Sequence, residues 1–102
     1  MTIKLNIQQA NALRLVFEDL VIPEKPIHMD DKLLQLIMIK IYKKLRTRLE
    51  ARLKGQGYSL ALTDEEAIAY YLYFRDRGLG YSRLYEAAFI NNHIGEIDKV
   101  YA

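Results

Sequence analysis

No cysteine occurs among the 102 residues. Its absence removes disulfides, zinc–thiolate centres, iron–sulfur clusters and cysteine nucleophiles together, and it agrees with a reducing compartment. Long apolar runs are missing as well. The richest, Leu33 to Tyr42, is interrupted by Gln35 and Lys40, short of the about 18 apolar residues of a membrane-spanning helix. The N-terminus has no basic start followed by an apolar block and a small-residue cleavage site. A cytoplasmic protein that does not engage a membrane is expected.

Groups for chemistry are equally scarce. There are two histidines, His28 in a proline-containing linker and His93 near the chain end. They stand at no metal-ligand spacing, so surface or helix-end roles are predicted for both. The five glycines fall at turns or near a helix end, and Gly55-Gln56-Gly57 lacks the lysine and hydroxyl residue of a phosphate loop. Asp30 and Asp31, like Asp64, Glu65 and Glu66, read as helix-start residues. Glu96 and Asp98 read as solvent-facing. No catalytic residue, metal or cofactor is expected, and an enzyme is not.

What remains is the composition of an ordinary globular domain: 51% apolar, 27% charged, net charge +2. That predicts one domain over residues 1–102, large enough to bury a core without staples. Tyr58, Leu60 and Leu62 alternate with Ser59 and Ala61, as in a half-buried strand. Thr63 then precedes Glu66 by three, the spacing of a capping box, so a helix should start near Asp64 and end at Gly78. Residues 3–17 repeat the order of signals: Ile3, Leu5 and Ile7 alternate, Gln8 and Gln9 follow, and a helical pattern begins at Ala12. Without a gap, residues 3–17 align with 58–72, with Leu5/Leu60 and Ala12/Ala67 identical.

Each unit continues into a second helix. Pro23 and Pro26 end the first helix, and Asp30 or Asp31 should cap a helix reaching Gly55, about 36 Å long. In the second unit Gly78 suits a helix end and Ser82 an N-cap. A last helix is predicted over 83–92, continuing to Tyr101 or broken near Gly95. The reading is a helix-dominated α+β fold, β-α-α-β-α-α, with two short paired strands and half-repeats 1–54 and 57–102. The alternative is an all-α four-helix bundle with both extended segments as loops. A helix-turn-helix in 64–92 fits poorly, because the six-residue connection exceeds the usual three or four.

Two surfaces are candidate sites. In 67–74 apolar and aromatic residues surround the helix, which calls for burial on every side. A second copy is the expected cover, with Tyr70, Tyr73, Phe74, Tyr81 and Tyr85 as the candidate interface of a homodimer. The long helix carries a stripe of Leu34, Met38, Ile41, Leu45, Leu49 and Leu53. Leu33, Leu36, Ile37 and Ile39 point elsewhere, so its first half should be surrounded by protein. Its second half is basic: Lys40, Lys43, Lys44, Arg46, Arg48, Arg52 and Lys54 stand against Glu50 alone. That pattern suits either a solvated face or a polyanion site. Five of the eight tyrosines lie between 70 and 85, interleaved with arginines, as in a base-stacking surface or ordinary packing. The leading expectation is a small non-enzymatic intracellular protein acting by self-association and protein–protein contact. The alternative is an accessory nucleic-acid-binding protein using the basic helix 40–54.

Overall fold

The structure, a computed structural model, describes residues 1–51, 57–79 and 81–102. Strand β1 (Thr2–Ile3) leads into α1 (Ile7–Val16), which continues as a π-helical turn over Phe17–Val21. Helix α2 (Met29–Glu50) follows, then β2 (Leu60–Ala61), α3 (Asp64–Arg75), a 3₁₀ turn Tyr81–Arg83 and α4 (Leu84–Tyr101). The fold is helix-dominated α+β, and the paired strands exclude the all-α bundle. Among the described residues no helix is long and apolar enough to cross a membrane.

The strands are antiparallel, with Thr2 opposite Ala61 and Ile3 opposite Leu60. Hydrogen bonds extend the ribbon beyond the ladder. Leu62 N–H donates to the Met1 carbonyl at 2.7 Å and Tyr58 N–H to the Leu5 carbonyl at 2.8 Å. Alternation then sorts the side chains: Ile3, Leu5, Tyr58, Leu60 and Leu62 are buried, whereas Thr2, Lys4 and Ala61 are exposed and Ser59 half-exposed. A two-stranded ribbon is unstable alone in water, and here the helices cover its apolar face.

Both helices that leave the ribbon begin with a capping box, Asn6 with Gln9 and Thr63 with Glu66. Each box satisfies two otherwise orphaned amides. Placing one cap on the other sets the halves fifty-seven residues apart, and the core follows position for position. Ala10, Leu13, Val16 and Phe17 of the first half correspond to Ala67, Tyr70, Tyr73 and Phe74 of the second, and all eight are buried. In this register six of the seventeen pairs between 3–19 and 60–76 are identical: Leu5, Ala10, Ala12, Leu15, Phe17 and Asp19 with their counterparts. The alignment of 3–17 with 58–72 is therefore two residues off. It counted Ile7 as a strand residue, but Ile7 opens α1 and is 48% exposed.

The second helices complete the core with Met38, Ile41 and Leu45 from α2 and Phe89, Ile90, His93 and Ile97 from α4. Helix α3 packs against both of them. At the first-half junction Gln35, 3% exposed, donates from its amide to the carbonyls of Val21 (3.0 Å) and Glu24 (2.6 Å). The Gln35 amide thus supplies the Glu24 carbonyl with a donor and the Val21 carbonyl with a second one beside the Glu24 N–H, which lies 3.3 Å away.

Several boundaries differ from expectation. His28 is the N-cap of α2 without a side-chain bond, and Asp30 and Asp31 lie inside the first turn. The predicted run of α2 to Gly55 falls partly on 52–56, outside the described residues. Helix α3 stops at Arg75, not Gly78. Helix α4 passes Gly95 unbroken, and Ser82 belongs to the 3₁₀ turn and not to an N-cap.

Candidate functional site

The ribbon is the feature that the helices position most completely. Its edges are closed by side chains. Lys44 Nζ donates to the Ala61 carbonyl at 3.1 Å, and the Arg48 guanidinium donates twice to the Ser59 carbonyl, at 3.1 and 3.0 Å. On the other edge His93 Nε2–H donates to the Lys4 carbonyl at 3.1 Å. The carbonyls of Lys4, Ser59 and Ala61, which could otherwise receive a third strand, are thus occupied, while the outward side chains Thr2, Lys4 and Ala61 are exposed and Ser59 half-exposed. Beside them an open groove of about 440 Å³ runs between α2 and β2, lined by Lys44, Thr47, Arg48, Ser59, Leu60 and Ala61.

Lys44 also pairs with Glu66. Burial pushes the Glu66 carboxyl up, but the Lys44 ammonium and the Thr63 amide and hydroxyl outweigh it and hold the group below the usual carboxylate range. The pair ties α2 to the start of α3 and so to the ribbon's end.

The candidate basic residues divide into separate roles. Lys44 and Arg48 hold the ribbon edge. Arg46 donates to the Tyr42 hydroxyl (2.8 Å) and to Glu50 (3.1 Å), and lies 3.6 Å from Glu18. The Tyr42 hydroxyl, despite the opposing effect of burial, leads in holding Glu18 below its ordinary value, with help from Arg14 and Arg46. Lys40 and Lys43 are exposed and, like Lys4, form no ion pair among the described residues. Arg52 and Lys54 lie outside the described residues.

The candidate interface residues are placed differently from the sequence reading. Tyr70 (0% exposed), Tyr73 (2%) and Phe74 (5%) belong to the chain's own core, so no partner reaches them in this fold. Helix α3 reads as apolar all round because it is flanked by α2 and α4, with Ile68 left 42% exposed. The Tyr73 hydroxyl donates to the Glu24 carboxylate, and Arg77 stacks on the Tyr73 ring at 4.0 Å. Tyr85 is half-exposed, with its ring 5.5 Å from Phe89, and Tyr81 opens the 3₁₀ turn. His93, expected at a surface or helix end, is 4% exposed and bonded to Tyr70.

Two surfaces were missed or mislocated by sequence reasoning. The ribbon's outer face had a signal, polar or small residues at 2, 4, 59 and 61 alternating with apolar ones. The first half of α2 is not surrounded by the chain: Leu33 is 59% and Leu36 48% exposed, beside Ile27 at 93% and Met29 at 85%. Among the described residues no group of three or more acidic or histidine side chains is placed to hold a metal. Compared with known proteins, the chain matches no family model, no curated protein and no solved structure.

Proposed function

We propose that the protein binds duplex DNA by laying the outer face of the β1–β2 ribbon in the major groove. The observation that carries this reading is a ribbon buried on one face, tied at both edges and bare on the other. The B-form major groove admits a two-stranded ribbon, whereas the A-form major groove of duplex RNA is too narrow for side chains to read. Thr2 and Ser59 offer hydroxyls to base edges and Lys4 an ammonium. Lys40 and Lys43, exposed on α2 and without an ion pair among the described residues, are suited to phosphate. Asp64 and Glu65, exposed in the first turn of α3, oppose phosphate on the β2 side, so affinity without sequence preference is expected to be modest. The lack of cysteine supports a reducing, cytoplasmic compartment for this activity.

The test is titration of a labelled mixed-sequence duplex at several salt concentrations. The expected result is submillimolar binding that weakens with salt. Replacing Lys4, Lys40 and Lys43 by Ala should reduce the slope of log K against log salt by about 0.9 for each phosphate no longer neutralised. No binding at low salt, or binding indifferent to Thr2→Ala with Lys4→Ala, overturns the reading.

A second reading, self-association, rests on a different observation. Met29, Leu33 and Leu36 form an exposed apolar stripe on α2 that continues into Lys40 and Lys43. An antiparallel second copy would set stripe on stripe and bring the exposed Asp30 of each chain toward Lys40 of the other. That arrangement is self-complementary, as a twofold interface requires, whereas parallel packing would set lysines against lysines. Light scattering should show a dimer that Leu33→Glu dissociates. A monomer at micromolar concentration overturns it.

A further inference from the structure

We infer that the DNA target is non-palindromic and is read by a single chain, with a guanine required in one half only; this rests on the ribbon reading above. The two halves meet about a twofold axis passing between Ile3 and Leu60, which are equivalent positions paired with each other. About that axis Thr2 corresponds to Ser59 and Lys4 to Ala61. The first correspondence preserves a hydroxyl and the second does not preserve a charge. The ladder register and the Tyr58 to Leu5 hydrogen bond set Thr2 beside Ala61 at one end of the ribbon and Lys4 beside Ser59 at the other.

A symmetric pair of chains would present the same side chains to both half-sites. This chain presents two different ends. At the Lys4–Ser59 end an ammonium and a hydroxyl face the groove, and lysine there donates to guanine O6 and N7. At the Thr2–Ala61 end two methyl-bearing side chains face it, which suits the thymine methyl and has no cation for guanine. Thr2 and Lys4 lie two residues apart, about 7 Å along the strand, or roughly two base-pair steps. The discriminating contacts therefore fall within a few adjacent base pairs. Both ends are on one chain, so the asymmetry is built into the fold and one chain suffices for a site.

The experiment is selection from a random duplex library with the full chain, repeated with Lys4→Ala and with Ala61→Lys, each checked for native circular dichroism. The intact chain should enrich a motif without twofold symmetry, with guanine at one end. Lys4→Ala should lose roughly tenfold to a hundredfold of the preference for that guanine while retaining salt-dependent binding. Ala61→Lys should add a guanine to the other half and make the motif more palindromic. A palindromic or absent motif, or one unchanged by Lys4→Ala, overturns the inference and leaves groove binding standing. No binding by any of the three proteins at low salt overturns groove binding itself.

Discussion

Phe17 and Phe74 occupy the same position in the two halves of the chain, and their rings meet edge to face, 6.4 Å apart at 88°. A residue that touches its own counterpart marks a twofold axis. The pairing of Ile3 with Leu60 marks the axis a second time, at the ribbon. The core is thus organised about one line, from the strands down to the ends of α1 and α3.

Truncating either ring should be severe. Phe17→Ala and Phe74→Ala are each expected to cost about 3–5 kcal/mol, a large share of the roughly 5–15 kcal/mol available to a small domain. The double variant should cost less than the sum, because the second truncation no longer breaks a ring–ring contact. Urea unfolding of the two single variants and the double measures this. Strict additivity would mean that the pair contributes no coupling.

The two capping boxes make a matched comparison. Asn6→Ala and Thr63→Ala should each cost about 1 kcal/mol. Thr63→Ala should cost more, since its partner Glu66 is nearly buried and also holds Lys44, whereas the Asn6 box is exposed. Thermal unfolding of both variants would decide. A larger loss for Asn6→Ala would contradict this account of the ribbon's ends.

The Tyr70–His93–Lys4 chain predicts a pH dependence. The Lys4 carbonyl is only an acceptor, so Nε2 carries the proton and Nδ1 accepts from the Tyr70 hydroxyl, at 2.9 Å. Burial pushes the His93 imidazole below its ordinary 6.5, outweighing the Lys4 carbonyl and Glu96. As pH falls through about 6.5 the unfolded chain takes up the proton first. Stability is therefore complete above that pH and declines below it, by at most about 1.4 kcal/mol per pH unit. Glu18 and Glu66, held below their ordinary 4.5, lose their contribution only at lower pH. Denaturant unfolding between pH 7 and 5 should slope in the native protein and flatten in His93→Gln. A flat native profile would sink the assignment.

Local signals carried much of this fold. The alternation at Tyr58, Leu60 and Leu62 and the box at Thr63 and Glu66 are short-range patterns, and both appear as read. Asn6 with Gln9 is the same box in less familiar residues, and missing it shifted the repeat by two. Tyr70, Tyr73 and Phe74 were misplaced because periodicity reports how much of a helix is apolar but not what covers it. Here α2 and α4 do, and contacts so distant in sequence leave no local trace. The ribbon's outer face depended on pairing Thr2 with Ala61 and Lys4 with Ser59, fifty-nine and fifty-five positions apart, so no local pattern showed its side chains as one surface.

Gln35 gives the last prediction, because sequence and structure point in opposite directions. In the sequence it interrupts the richest apolar run, and Gln35→Leu should improve the helix's apolar face at nearly constant volume. In the structure its amide donates to the carbonyls of Val21 and Glu24, and its Oε1 accepts from Lys32 at 3.3 Å. Leucine would leave the Glu24 carbonyl without its donor and the Val21 carbonyl with the Glu24 N–H alone, at a cost of about 1–3 kcal/mol, against about 0.8 kcal/mol gained per buried methylene. The loss of the donor should win, and the 22–28 linker should loosen with it. Gln35→Leu is expected to be less stable in urea and to exchange amide hydrogens faster around 21–28. A variant as stable as the native chain would show that the linker's carbonyls find water instead, and that the glutamine is not what holds the first half closed.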